Sequence, residues 1–239
     1  MVKKEELESL VTKSQTTKIN VYREYCQHLF LSFLYQQKDA EKMLFKGGTA
    51  LKIAYKSPRY SENLDFSLFD IPLRAIENLL LTVIDKLEKV NLSYDILESK
   101  ETTGGYLAKL AINLYEENIN ILIQGSRRKK NSKGADIQLI HNDFIPPYTV
   151  LLLSKRQLVE EKIQAAATRS RPRDFFDVYY LLRSGNVPVS FISKLQKLPQ
   201  IIEKKKVDFA QLSEFLPSSM FSLVKNFENV FTSEIDKFR

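Results

Sequence analysis

Apolar residues along this chain change their spacing several times, and each change marks an element. Over residues 21–37 the positions Tyr22, Tyr25, Cys26, Leu29, Phe30, Phe33 and Leu34 recur every three or four residues, which predicts a helix. Met43-Leu44-Phe45 is a short strand-like run, and residues 49–55 predict a helix that begins directly after Gly47-Gly48. Ser57-Pro58 ends that helix, because a residue before proline avoids helical backbone angles, and residues 64–68 predict a strand. Residues 71–90 carry a clear amphipathic helical pattern. Residues 106–115 and 119–124 predict two strands joined by a turn at Glu116-Glu117-Asn118, and 137–140 a further strand. Residues 158–169 predict a helix; Pro172 opens the next, whose residues 175–182 carry an aromatic face. After Gly185 the pattern is helical throughout, punctuated by Pro188, Pro199 and Pro217. The spacings predict an α+β fold: a mixed-sheet lobe with flanking helices over residues 1–185, then a helical C-terminal extension over 186–239.

Composition narrows the partners. A hydrophobic content of 44% in 239 residues is enough to bury a sizeable core. Thirty-six Lys and Arg against 29 Asp and Glu give a net charge of +7, which favours polyanions such as nucleic acid or nucleotides. Cys26 is the single cysteine, so an intrachain disulfide and a thiolate zinc cluster are excluded. No apolar run reaches the ~20 residues that span a bilayer. The N-terminal Met1-Val2-Lys3-Lys4-Glu5-Glu6 opens a polar amphipathic helix instead of a signal sequence, so a cytoplasmic protein without a membrane partner is expected. His28 and His141 lie far apart and read as structural residues, not as members of a catalytic triad.

Two segments carry candidate chemistry. In Phe45-Lys46-Gly47-Gly48-Thr49-Ala50-Leu51 two adjacent glycines let the backbone approach a ligand, and a hydroxyl and the open N–H groups of a helix start follow at once. Eight residues on, Arg59-Tyr60-Ser61-Glu62-Asn63-Leu64-Asp65 places a carboxylate on a strand, a combination suited to phosphate and metal chemistry. In the second segment Lys162 and Arg169 are seven residues apart and share a helix face, as do Asp174 and Asp177, three apart. A basic face and an acidic face joined by a short turn can hold a triphosphate and orient a hydroxyl, or can form a salt-bridge network between adjacent helices. No Gly-x-x-x-x-Gly-Lys-Ser/Thr or Gly-x-Gly-x-x-Gly loop is present, which argues against a kinase.

Together the segments resemble the signature of the AbiEii/AbiGii toxin family, which has a nucleotidyltransferase-like fold. That signature reads Gly-Gly-Thr-Ala-Leu, then Arg-x-Ser-x-Asp-x-Asp, and later Glu-Lys-x-x-Ala with Arg-x-x-x-Arg-Asp-x-x-Asp before a Tyr/Leu-rich helix. Here the later block is Glu161-Lys162-Ile163-Gln164-Ala165 and Arg169-Ser170-Arg171-Pro172-Arg173-Asp174-Phe175-Phe176-Asp177, and the resemblance covers residues 45–182. It implies a nucleoside triphosphate over the glycine loop, bound by Gly47, Gly48, Thr49, Arg59, Ser61, Arg169 and Arg173. It also implies Mg²⁺ (or Mn²⁺) on Asp65, with Asn63 in the partner position, where the family has an aspartate. A third carboxylate would fall on strand residues 119–121, where Asn120 stands. Asp65, Lys162, Asp174 and Asp177 would be the catalytic set: Lys162 holds the triphosphate and one of the last two orients the acceptor.

The family resemblance further implies transfer of a nucleotide to RNA, in some members the 3′ end of tRNA, or to a protein acceptor, with growth arrest until a cognate antitoxin intervenes. The basic runs at residues 127–133 and Lys204-Lys205-Lys206 read either as rests for an RNA backbone or as solvated surface. Asn63 leaves two readings open: an active transferase toxin, or a degenerate homologue that binds nucleotide or RNA without turnover.

Overall fold

The computed structural model describes residues 2–128 and 134–238. The chain divides into two compact units, Met1–Lys56 with Tyr60–Leu153, and Ser57–Arg59 with Ser154–Arg239.

In the first unit two helices, α1 (Lys4–Ser14) and α2 (Lys18–Leu34), precede the sheet. Thr17 caps α2 by accepting a hydrogen bond from the Asn20 backbone N–H, which moves the start of the predicted helix to Lys18. Then follow β1 (Met43–Lys46), α3 (Gly47–Ile53), β2 (Asn63–Phe69), α4 (Leu73–Glu88), β3 (Ser93–Thr102), β4 (Gly105–Leu114), β5 (Glu117–Arg128), β6 (Ala135–Ile140) and β7 (Tyr148–Leu153). The seven strands form one mixed sheet in the order β3-β4-β5-β2-β1-β7-β6. Pairing is antiparallel except for β1 with β7 and β2 with β5.

Strand alternation divides the sheet chemically. Leu64, Phe66 and Leu68 of β2, Ile121 and Ile123 of β5, and Ala108, Leu110 and Ile112 of β4 are buried on one side. Helices α2 and α4 pack against each other and against this sheet, and α4 buries Ile76, Leu79, Leu80, Val83, Ile84 and Leu87 at helical spacing. The other side carries the polar members of the same strands, Asn63 and Asp65 among them. His28 is buried on α2 with Nδ1 2.8 Å from the Tyr148 hydroxyl, and burial pushes its pKa down to about 3. It is a neutral core residue.

Three features depart from the pattern read along the chain. Strands β3 and β7 have no counterpart in it. The first is an exposed edge whose register shifts between Ile96 and Glu98, and the second ends in four consecutive apolar residues, Val150 to Leu153, that hide its alternation. Strand β5 extends through Arg127 and Arg128, so these two belong to a strand and not to a basic loop; residues 129–133 of that run lie outside the described residues.

The second unit is helical. It contains α5 (Lys155–Thr168), α6 (Pro172–Arg183), α7 (Ile192–Leu195), α8 (Leu198–Lys205), α9 (Phe221–Lys225) and α10 (Phe227–Asp236). Pro172 occupies the first turn of α6, as predicted. Phe175 and Phe176 of α6 pack against Phe231 and Phe227 of α10 at ring-centroid distances of 5.7 and 5.8 Å, and Phe209 lies 4.8 Å from Phe227. This aromatic core joins α6 to the helices that follow it, and α5 belongs to the same unit, whereas the sequence pattern set a boundary near residue 185. Among the described residues no helix is long and apolar enough to cross a membrane.

Candidate active site

Strand β1 ends at Lys46, and the chain turns straight into α3 through Gly47, whose φ of +84° is strained for any residue with a side chain. A second constraint acts at the same atom. A Cβ built on Gly47 would lie 2.2 Å from Oδ2 of Asp65, so the carboxylate fills the volume that a side chain would need. The strand register agrees, since Lys46 and Asp65 are directly paired across β1 and β2. Thr49 is fully buried, and its hydroxyl donates to the backbone carbonyl of Asn63. That hydroxyl therefore ties α3 to β2, and what the loop presents outward is backbone.

Asn63 and Asp65 share the polar face of β2, and β5 supplies the third polar group. The expected position was Asn120, but the parallel register sets Leu122 opposite Asn63 and Gln124 opposite Asp65. Gln124 accepts a hydrogen bond from Asn63 Nδ2 at 3.3 Å, while Asn120 pairs with Ala111 beyond the end of β2. Residues 120, 122 and 124 all face the same side by alternation, so only the register distinguishes them. Gln27 was also absent from the candidates. It is buried on α2, and its Nε2 donates to the carbonyls of Ser61 and Glu62 at 2.9 and 3.2 Å, fixing the approach to β2. The available signal was Gln27 next to the apolar positions Tyr25, Cys26, Leu29 and Phe30 of α2.

These donors bear on the metal. Among the described residues no three His, Cys, Asp or Glu side chains gather to hold an ion. Asp65 with the amide oxygens of Asn63 and Gln124 fits one Mg²⁺ that takes its remaining ligands from phosphate and water. It does not fit a two-metal centre, which needs more carboxylate charge.

The second unit gathers the other candidates. Arg59 grips Asp177 bidentately, Nε to Oδ1 at 2.7 Å and Nη2 to Oδ2 at 3.1 Å, and Lys162 donates to Oδ2 at 2.6 Å. Asp177 is 1% exposed; burial alone would raise its pKa, but Arg59 and Lys162 prevail and hold it below the usual carboxylate value. Asp174 accepts from Arg169 at 2.7 Å and from the Arg171 backbone N–H at 3.4 Å, which closes the first turn of α6. Arg173 lies among these cations, and its pKa is lowered first by burial and then by Arg59 and Arg171. Arg59, Lys162, Arg169, Arg171 and Arg173 thus surround two carboxylates, a surplus suited to a phosphate-bearing ligand.

A family model described as "Nucleotidyl transferase AbiEii toxin, Type IV TA system" matches residues 29–225. The chain belongs to the AbiEii nucleotidyltransferase toxin family. The match spans every candidate residue above and continues to the end of α9, well past the last motif legible in the sequence. Solved structures agree on the fold. The crystal structure of JHP933 from Helicobacter pylori superposes with a TM-score of 0.62 at 17% identity, covering 93% of this chain and 95% of that one. A second H. pylori structure, provisionally assigned as a nucleotidyltransferase, gives 0.60 at 17% identity over 93% and 99%. No curated protein matches the sequence. Asn63 and Gln124 are both amides, which leaves Asp65 as the single carboxylate of the three-residue set.

Proposed function

We propose that this AbiEii protein transfers a nucleotide from a nucleoside triphosphate to RNA, with the 3′ end of tRNA as the acceptor to test first, and that a cognate antitoxin restrains it. One observation carries the reading: the Asp65 carboxylate packs into the space left by the missing side chain of Gly47. A phosphate resting on the Gly47-Gly48 backbone therefore lies beside the acid suited to a phosphate-bound cation. Mg²⁺ on Asp65 and Asn63, when bound, would supply charge neutralisation for the phosphates. In the reaction the acceptor hydroxyl oxygen bonds to the α-phosphorus, the bond to the β-phosphate bridge breaks, pyrophosphate leaves and the hydroxyl proton passes to solvent. Ser61, set in place through Gln27, is assigned to a phosphate or ribose oxygen. Lys162 has three N–H donors, one of them directed to Asp177, and the others are assigned to phosphate with Arg169 and Arg173. Asp177 is assigned to positioning Arg59 and Lys162, because a carboxylate held by two cations is a weak base.

A second reading rests on the amides of Asn63 and Gln124: a homologue that binds nucleotide without transferring it. Protein comprising residues 1–239, incubated with each α-labelled triphosphate, Mg²⁺ or Mn²⁺ and total RNA, separates the two. Label in RNA that disappears in Asp65→Ala supports the transferase, and label in protein moves the acceptor. Nucleotide binding without label transfer supports the binding module.

A further inference from the structure

The alternation that sets Asn63 and Asp65 on one face of the sheet also sets two lysines there. Lys46 is directly opposite Asp65 in the antiparallel β1–β2 register, and directly opposed side chains leave the same face with Cβ atoms about 5 Å apart. Lys109 of β4 is paired with Leu122, which is paired with Asn63, two strand spacings or about 10 Å away. Lys46 is 8% exposed, and Lys109 is half-buried. Across Lys46, Asn63, Asp65, Leu122, Gln124 and Lys109 there is one carboxylate against two ammonium groups. A two-metal centre demands the opposite balance, several carboxylates to offset four positive charges. Lys46 is thus held on the same face as Asp65, at the strand end that leads into the glycine loop.

We propose that Lys46 is a nucleotide-binding residue that takes the place of the second metal ion, a fixed ammonium that meets the phosphates beside the glycine loop. Lys109 adds positive potential from β4. The amide at Asn63 then has a physical partner: with a tethered cation beside Asp65, a second carboxylate is not required to hold a second mobile one. This inference rests on the nucleotide reading of the Gly47–Asp65 face and deepens it. Its consequence is that nucleotide affinity depends on Lys46 more than on divalent metal.

The test is equilibrium binding of a fluorescent ATP analogue, and of analogues of the other triphosphates, to the full chain in Mg²⁺ and in EDTA. Wild-type affinity is expected to fall by less than about tenfold when the metal is removed. Lys46→Met is expected to lose more than about tenfold in EDTA and Lys46→Arg to retain binding, each with its melt recorded. Wild-type binding in Mg²⁺ that falls by more than tenfold in EDTA overturns the inference and leaves the nucleotide reading standing. So does a folded Lys46→Met that binds like wild type in EDTA. No binding of any analogue in either condition overturns the nucleotide reading itself, and this inference with it. The wild-type comparison decides the matter even if Lys46→Met does not fold.

Discussion

Gly47 is glycine for two independent reasons, a backbone angle and a neighbour, and each makes a substitution measurable. A methyl group there must hold φ at +84°, which costs an L-residue about 1–2 kcal/mol, and must also displace the Asp65 carboxylate. Gly47→Ala is therefore expected to lower the melting temperature by about 2–8 °C and to weaken triphosphate binding. A variant that melts and binds like wild type would show that the loop does not depend on this packing. Asn63→Asp tests the opposite direction, because it changes charge without changing size. Asn63 Nδ2 now donates to Gln124 Oε1, and a 180° turn of the Gln124 amide would let it donate to the new carboxylate instead. With that contact preserved, the added charge should tighten Mg²⁺ binding, read by calorimetry, and make nucleotide affinity more sensitive to EDTA than in wild type. Unchanged metal affinity would place the ion away from Asn63.

At the scale of elements, the second motif folds α5 and α6 together through ion pairs of unequal burial. Asp177 is enclosed with Arg59 and Lys162, whereas Arg169, bonded to Asp174, is 55% exposed. Removing Asp177 leaves two buried cations without their anion, so Asp177→Ala should cost about 3–5 kcal/mol in urea unfolding. Arg169→Ala removes a half-exposed partner and leaves the buried Asp174 with the Arg171 backbone N–H, so it should cost clearly less than Asp177→Ala, which strips two cations at once. Equal losses would contradict the burial difference. This network shows what a sequence carries and what it does not. Residue types and helix faces were legible, because a 3.6-residue period is a local property and Lys162, Asp174 and Asp177 keep to it. Their partners were not, since Arg59 reaches Asp177 across 118 positions of chain. Strands behaved likewise: β2, β4 and β6 alternate and were read, but β3 is an exposed, bulged edge and β7 ends in four consecutive apolar residues. The choice of Gln124 over Asn120 depends on the β2–β5 register, which period-two alternation leaves open.

For the whole molecule the decisive quantity is charge, and it bears on the proposed acceptor. A net charge of +7 favours RNA, but only the ionic-strength dependence tells whether particular cations meet its backbone. Lys204, Lys205 and Lys206 are exposed at the C-terminal end of α8, where Lys205 bonds the Thr168 carbonyl at 2.9 Å. None of these lysines is among the residues assigned to the triphosphate. Each phosphate neutralised on a single strand contributes about 0.7 to the slope of log affinity against log salt. If all three lysines contact the backbone, their replacement by glutamine should reduce that slope by about 2 and weaken RNA binding at low salt more than at high salt. Triphosphate affinity should stay at its wild-type value. A full slope in the triple variant would assign this run to solvated surface, and an RNA affinity in wild type that does not change with salt would remove backbone contact from the acceptor reading altogether.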